Sequence, residues 1–520
     1  MSRRDHAKRV FFLLALVALD ACAAVGTPVS SASISPPPAL TGQPAATASA
    51  PSAASSSLVA PLAGEPTINL YLPYLTKTLG GTDGWETPFI IQNADSVAAD
   101  LEMNFYAIAD GTLVARRIVR GLKPGTSYAD RPDRDADLAD DTAYSAVVRS
   151  FGAKVVAVVN QQRGLGTRFE ADSYVSQIGG APSVFLPSVA KRVDGFVSRI
   201  VVQNVSTDPT AATATFIAID GASTTISTRT LQSGRSSVID LGAEPGLADG
   251  TYAVRINASG RLVAIVNAQR DALSDAAPML YSYGALVDGA NTVYGPYAVK
   301  NVQGIGAGNS MIAVQNMARN PTQPTLTFTP LGGGVSTRFT GPTLAPGAAW
   351  SFDLRFQNGD PRQGLCGRGS SSGCLGDGEH SWTVGAPGAQ LAALVTVIGP
   401  TAAAAYTALS RPADVFLPNV TRTLGGRDGW TTPIIVQSVS ASQLSLSWYR
   451  FADGLLAATQ RLTITPGSAI RIDPRDVGGL SDNAQYAVVV EGNGGRLVAV
   501  VVQLNSQGGD GAAIYTGFFR

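Results

Sequence analysis

The chain repeats one long unit four times, and this repetition limits the folds that it can adopt. Each copy carries a proline after a short apolar stretch, and these prolines lie 109 to 122 residues apart, at Pro73, Pro187, Pro296 and Pro418. Solenoid turns and propeller blades repeat about every 20 to 50 residues. A unit of about 110 residues is instead typical of a whole β-sandwich domain.

Two kinds of apolar segment occur within each unit, separated by turn signals. The segment 445–451 (SLSWYRF) alternates, with Leu446 and Trp448 on one predicted buried face. The segments 155–159 (VVAVV) and 498–502 (VAVVV) are apolar at every position, which indicates strands covered on both faces. Since 56 glycines and 31 prolines supply many turns, the sequence predicts an all-β protein of antiparallel two-layer sandwiches.

A Leu-x-Asp…Tyr signature recurs near the end of the units. Leu138, Asp140 and Tyr144 form it in the first copy, and the others follow at Leu247, Asp249 and Tyr252 and at Leu480, Asp482 and Tyr486, with Trp382 expected in the tyrosine's place in copy three. This signature resembles the tyrosine corner of immunoglobulin-like sandwiches. The whole unit resembles the tandem immunoglobulin-like repeats of bacterial cell-surface proteins and lipoproteins.

The resemblance implies four tandem immunoglobulin-like domains, at 65–179, 180–288, 289–410 and 411–520, the third carrying an insertion. The linkers between them are short, so we expect a semi-rigid row of domains. Such modules serve many roles, and the resemblance therefore predicts architecture rather than a particular activity.

The N-terminus predicts export. A basic segment precedes the apolar run 10–19, and small residues follow it, as in a secretory signal peptide. The residues before Cys22 resemble a bacterial lipobox, although Asp20 is unusual there. We therefore predict a signal peptide over 1–22 and a lipid on Cys22. Cleavage near Ala21 or Ala24 that releases a soluble protein is the alternative. Residues 23–64 are rich in Ser, Ala and Pro and predict a disordered linker.

Three cysteines fit an exported protein once Cys22 is assigned to the lipid. Cys366 and Cys374 lie close together in a glycine-rich loop, and an oxidising compartment would let them pair. Closing so short a loop contributes about 2.5 kcal/mol in the chain-entropy model. A zinc site is disfavoured because His380 is the one histidine nearby.

Two copies contain a glycine-rich loop with a tryptophan, 78–93 (TLGGTDGWETPFIIQN) and 423–438 (TLGGRDGWTTPIIVQS). A phosphate site would need a helix after the glycines, whereas an apolar strand pattern follows. The loop therefore predicts a turn that enters a strand. Trp85 and Trp430 pack as structural residues in one interpretation and form aromatic contacts for a sugar in the other.

The segment 130–141 (DRPDRDADLADD) of copy one contains the best set of metal-ligand residue types. Asp133, Asp135, Asp137 and Asp141 offer several oxygens to one hard cation such as Ca²⁺. The other interpretation is a turn in which the aspartates cap backbone amides. Because copy two keeps few of these aspartates, the fold requires no cofactor.

The remaining evidence favours a non-enzymatic protein. Lys+Arg and Asp+Glu balance at 38 each, which argues against nucleic acid as a partner. We expect an exported, lipid-anchored surface protein that acts in display, adhesion or envelope scaffolding, with an envelope protein or a polysaccharide as partner. A carbohydrate-binding protein that uses Trp85 and Trp430 is the second hypothesis. An enzyme with a carboxylate pair or His380 is the third.

Overall fold

A computed structural model describes residues 58–164, 168–218, 221–271, 277–302, 308–369 and 372–519. The predicted signal peptide, with Cys22, and nearly all of the predicted linker lie outside these residues. The part that follows Leu58 is one compact unit. It is built from β-strands and short 3-10 turns at Pro132–Arg134, Leu241–Ala243, Gln357–Gly359, Pro361–Gln363 and Pro474–Asp476.

Each repeat contributes seven to nine strands. Repeat 1 contains β1 (Ile68–Lys77), β2 (Phe89–Asn93), β3 (Ala99–Ala107), β4 (Leu113–Leu122), β5 (Ser127–Asp130), β6 (Thr142–Phe151), β7 (Val155–Arg163), β8 (Glu170–Val175) and β9 (Gln177–Ile178). Repeat 2 contains β10 (Ala181–Val193), β11 (Phe196–Asn204), β12 (Ala212–Ala218), β13 (Ser223–Ser227), β14 (Ser236–Asp240), β15 (Gly250–Arg270) and β16 (Met279–Gly284).

Repeat 3 contains β17 (Thr292–Lys300), β18 (Asn309–Asn316), β19 (Thr325–Pro330), β20 (Thr337–Thr340), β21 (Ala349–Asp353), β22 (Gly378–Gly385), β23 (Leu391–Ile398) and β24 (Ala403–Thr407). Repeat 4 contains β25 (Val415–Arg422), β26 (Ile434–Ser438), β27 (Gln443–Arg450), β28 (Leu456–Thr463), β29 (Ala469–Ile472), β30 (Ala484–Glu491), β31 (Leu497–Leu504), β32 (Ala512–Thr516) and β33 (Phe518–Phe519).

Every repeat is a sandwich of two antiparallel sheets, which confirms the predicted fold class. In repeat 1 the outer sheet has the order β4-β3-β6-β1-β9 and the inner sheet the order β5-β2-β7-β8. Repeat 4 has the same order, and repeat 3 has it without the fifth strand of the outer sheet. In repeat 2 the long strand β15 joins the two sheets. The first two strands of an immunoglobulin domain share a sheet, whereas in repeats 1, 3 and 4 they lie in opposite sheets. The resemblance therefore holds for the layers and the tyrosine corner rather than for strand order.

The four repeats form a closed ring instead of the expected row. The last strand of each inner sheet is called an axial strand here: β8, β16, β24 and β32. Each axial strand contacts the next, and β32 of the last repeat contacts β8 of the first. The contacts of the first strands follow the same cycle, since β1 contacts β11, β10 contacts β18, β17 contacts β26 and β25 contacts β2.

The fully apolar strands explain the ring. In β7, Val155 and Val159 belong to the core of repeat 1, whereas Val158 between them belongs to the core of repeat 4. The inner sheet therefore has two buried faces, one inside its own sandwich and one against the preceding repeat. The other junctions repeat this arrangement, with Val201 and Ile265 in the core of repeat 1, Ala313 and Leu394 in that of repeat 2, and Ile435 and Val500 in that of repeat 3.

The proline of each repeat marks a β-bulge in the first strand. The pairing of β1 with β6 shifts between Leu72 and Leu75, at Pro73, and equivalent shifts occur in repeats 2, 3 and 4. A buried tyrosine of the axial strand donates a hydrogen bond to the carbonyl after each proline. The four bonds are Tyr174 to Tyr74 (2.5 Å), Tyr283 to Ser188 (2.5 Å), Tyr406 to Tyr297 (2.5 Å) and Tyr515 to Asn419 (2.7 Å).

The glutamine next to the end of the second strand reaches across a junction in repeats 2, 3 and 4. Gln315 Nε2 donates to the carbonyl of Val254 in repeat 2 at 3.2 Å, and Gln437 Nε2 donates to that of Trp382 in repeat 3 at 3.3 Å. Gln203 Nε2 lies 3.4 Å from the carbonyl of Ala146 in repeat 1. These bonds fix the register between consecutive repeats.

The closed ring predicts a small radius of gyration in solution. A compact unit of this size has a radius of gyration of about 23 Å, and a row of four sandwiches has roughly twice that value. Small-angle X-ray scattering of residues 59–520 distinguishes the two. A value near that of the row would contradict the ring.

Candidate functional site

The glycine-rich loops are turns that enter strands, as predicted. In copy one, the backbone N–H of Trp85 donates to the carbonyl of Leu79 at 2.8 Å, and the N–H of Leu79 donates back at 3.1 Å. A Cβ on Gly84 would lie 2.3 Å from that carbonyl oxygen, so the hairpin requires glycine there. The loop of copy four makes the same pair of bonds between Leu424 and Trp430.

Both tryptophans are half-buried, and each lies at a junction between two repeats. Trp430 meets Phe169 of repeat 1 edge to face, with ring centroids 6.2 Å apart. The guanidinium carbon of Arg163 lies 4.8 Å from the centroid of the Trp85 ring. Trp85 also borders a cavity of about 30 Å³ between repeats 1 and 2, whose lining includes Tyr74, Gln161, Arg199, Asn267 and Gln269.

The aspartates of the acidic loop are bound by groups of the chain itself. Asp133 pairs with Arg131 at 2.6 Å, and Asp135 contacts Arg117. Asp141 accepts from the backbone N–H of Gly80 at 2.8 Å.

In copy four, Asn483 accepts from the backbone N–H of Gly425 as Asp141 accepts from that of Gly80. An uncharged side chain can therefore make this hydrogen bond. Asp137 is exposed. In the part of the chain that the structure describes, no three His, Cys, Asp or Glu side chains are grouped as metal ligands.

A basic side chain at the end of each first strand holds the loop before the tyrosine corner, and sequence reasoning missed it. Nζ of Lys77 donates to the carbonyls of Asp135 (2.6 Å) and Leu138 (2.8 Å) and lies 3.3 Å from Asp140. Lys191 and Lys300 make equivalent contacts and, like Lys77, are buried. Arg422 replaces the lysine in repeat 4. The loop therefore holds the chain's own cation, which favours the turn interpretation over a calcium site.

The two interpretations differ in their response to a chelator. If Lys77 supplies the positive charge, the melting temperature is the same with and without EDTA. If Ca²⁺ binds among Asp133, Asp135, Asp137 and Asp141, EDTA lowers the melting temperature and added Ca²⁺ restores it. Thermal denaturation monitored by circular dichroism makes this comparison, and a D137N variant tests the assignment of the site.

The tyrosine corner is present, but Trp382 does not replace the tyrosine in copy three. Tyr144 and Tyr252 donate to the carbonyls of Ala139 (2.9 Å) and Ala248 (2.7 Å). In copy three, His380 occupies this position, and its Nε2 lies 2.9 Å from the carbonyl oxygen of Gly376. The expectation for Trp382 was wrong because Trp382 lies seven positions after Leu375, whereas the corner residue lies five positions after its leucine in copy two and six in copy one. Trp382 instead donates to Tyr406 at 3.2 Å.

His380 is a structural residue in this position. It is buried, and burial lowers the pKa of its imidazole, against the opposing effect of the hydrogen bond to Gly376. The nearby ammonium of Lys300 lowers this pKa further. A neutral imidazole that binds a backbone carbonyl is not placed to serve as the base of a catalytic triad.

The lowered pKa of His380 makes stability depend on pH. Because the unfolded chain binds the proton more readily, the stabilisation is complete above the ordinary histidine pKa of about 6.5 and is lost as pH falls below it. An H380Y variant keeps a hydrogen-bond donor for Gly376 and removes the titration. Urea denaturation should show wild type losing stability relative to H380Y below about pH 6.5, by no more than about 1.4 kcal/mol per pH unit. Parallel pH profiles would contradict this account.

The predicted disulfide between Cys366 and Cys374 is present. It closes the insertion of copy three, where the N–H of Cys366 donates to the carbonyl of Arg355 at 2.8 Å. Leu375, which follows Cys374, is buried in the core of repeat 3, whereas Leu365 is 73% exposed. The bond therefore fastens an exposed loop to the sandwich.

Comparisons with known proteins give little further information. No protein-family model matches the chain, and no curated protein sequence matches it. One solved structure that resembles it is described as a tetra-tandem repeat in the extending region of a large adhesion protein. The identity is 13%, the match covers 81% of this chain and 92% of that one, and the TM-score is 0.11, which is too low to support an argument about fold or function.

Proposed function

We propose that the protein is a non-enzymatic exported protein that acts in display, adhesion or scaffolding at the cell envelope. In this proposal, a lipid on Cys22 and a flexible linker hold the ring of four sandwiches outside the membrane. An envelope protein or a polysaccharide is the partner.

The observation that carries the proposal is how the recurring polar side chains are used. Four kinds of recurring side chain bind backbone carbonyls. They are the lysines at the ends of the first strands, the corner tyrosines, His380 in the corner of copy three, and the glutamines of the second strands. Side chains that recur in the repeats thus stabilise the sandwiches and their junctions. This supports a scaffold whose variable surface loops make the contacts.

Export is supported by two independent features. The N-terminal sequence has the pattern of a signal peptide, and the disulfide between Cys366 and Cys374 persists in oxidising compartments. Among the described residues, no helix is long and apolar enough to cross a membrane. In the proposal, the lipid on Cys22 is the attachment.

Replacing Cys22 tests the attachment. We expect a C22A variant to move from the membrane fraction to the soluble exported fraction, because the acyl chains would be lost. A C366A/C374A variant serves as the control, since it removes the other cysteines and should remain with the membrane. Unchanged partitioning of C22A would contradict the lipid anchor.

Carbohydrate binding remains the second hypothesis, since Trp85 is half-exposed beside polar side chains. The cavity of about 30 Å³ has room for one or two waters, so a sugar would have to stack on the ring surface. Binding of soluble oligosaccharides should then quench the fluorescence of Trp85, and a W85F variant should lose that part of the signal. Wild-type emission that is insensitive to oligosaccharides would favour the scaffold.

A further inference from the structure

The axial strands present a physical problem where they meet. Each is the last strand of its inner sheet, so one edge of its backbone lacks a neighbouring strand. This edge faces the centre of the ring, and a buried N–H without an acceptor is costly. Two aspartates supply acceptors at this place.

Asp510 and Asp172 form hydrogen bonds between different repeats at the axial strands. The carboxylate of Asp510 accepts from the backbone N–H of Leu280 in repeat 2 at 2.6 Å and from that of Ala403 in repeat 3 at 2.9 Å. Its own N–H donates to the carbonyl of Phe169 in repeat 1 at 2.6 Å. Asp172 of repeat 1 accepts from the N–H of Ser282 in repeat 2. Asp510 thus links repeat 4 to all the others.

Both carboxylates are buried and asymmetrically bound. Asp510 is 0% exposed and Asp172 is 1% exposed. Three of their four oxygens accept a backbone N–H, whereas Oδ1 of Asp172 has no hydrogen-bond partner among the described residues. That oxygen can carry a proton without displacing an amide donor.

We propose that Asp172 and Asp510 form a pH-sensitive latch at the centre of the ring. The ring is closed firmly while the pair holds a proton, and the axial strands separate more readily once both carboxylates are ionised. The physical reason is that two negative charges removed from water repel each other and lose their hydration. The inference does not depend on what the protein binds.

The direction of the pH response follows from burial. Burial raises the pKa of both groups well above the ordinary value, and the charge of Asp510 raises that of Asp172 further. The amide hydrogen bonds act in the opposite direction. A folded-state pKa above the unfolded one gives stability that is complete below about pH 4 and is lost as pH rises through the raised value.

Other charged groups near the pair modify this response. Glu170 raises the pKa of Asp510, and Arg270 lowers it. Glu170 itself is paired with Arg163, which also lies 3.3 Å from Asp271. Glu170 is therefore the alternative titrating group that an experiment must separate from the latch.

Amide hydrogen exchange in the mature chain tests the proposal at the atoms involved. We expect the protection of the Leu280, Ser282 and Ala403 amides, corrected for intrinsic exchange, to fall by about tenfold or more per ionisation as pH rises. The amide of Ile265, in the ladder of β15 with β11, is the internal reference. Equal pH profiles for the reference and the three amides would overturn the latch.

Three variants identify the titrating group. D172N carries a neutral amide in place of the proton-bearing carboxyl and so removes one of the two ionisations, and its protection should fall less with rising pH than that of wild type. E170Q should keep a fall as large as that of wild type but at lower pH, because Glu170 raises the pKa of Asp510. The exposed D208N should respond as wild type does. A response in D172N as large as that of wild type, or one that E170Q abolishes, would overturn the assignment. D510A should lose protection at every pH, and if it does not fold, the comparison of D172N with E170Q decides alone.

Discussion

The two buried faces of the inner sheets are the constraint on which the whole arrangement depends. Strands β7 and β31 contain uninterrupted apolar runs, at 155–159 and 498–502, and alternate side chains of these runs enter the cores of two different repeats. In an open row, the first repeat would leave Ile90 and Val158 uncovered. Burying such side chains contributes about 1.5 to 3 kcal/mol each. Closing the ring covers them with the core of repeat 4 and leaves no terminal repeat.

The sequence allowed the repeats, the sandwich class, the turn at the glycine-rich loops and the disulfide to be predicted, because each depends on local chemistry. The ring was not predicted, although a signal existed. Open repeat arrays need terminal repeats with a polar outer face, yet β2 and β7 of the first repeat are as apolar as their counterparts in the others. An apolar first repeat indicates that something covers it.

The polar positions were harder to predict because their roles depend on pairings distant in sequence. Lys77 follows a bulge and appears in the sequence as an ordinary surface cation, but the bulge turns it toward carbonyls some 60 residues away. The role of His380 in the tyrosine corner was missed because the spacing varies between copies. The corner residue follows its leucine by five positions in copies two and three and by six in the others. Counting from the leucine identifies His380, whereas counting aromatic residues identifies Trp382.

The divergence of the axial strands has a physical basis in the ring itself. Four identical repeats would place four copies of each side chain around one centre, and four aspartates there would repel one another strongly. The equivalents of Asp172 are Tyr281, Ala404 and Ala513. Small side chains let the strands approach, while the two aspartates supply amide acceptors. The four copies therefore differ at this position, where their axial strands meet.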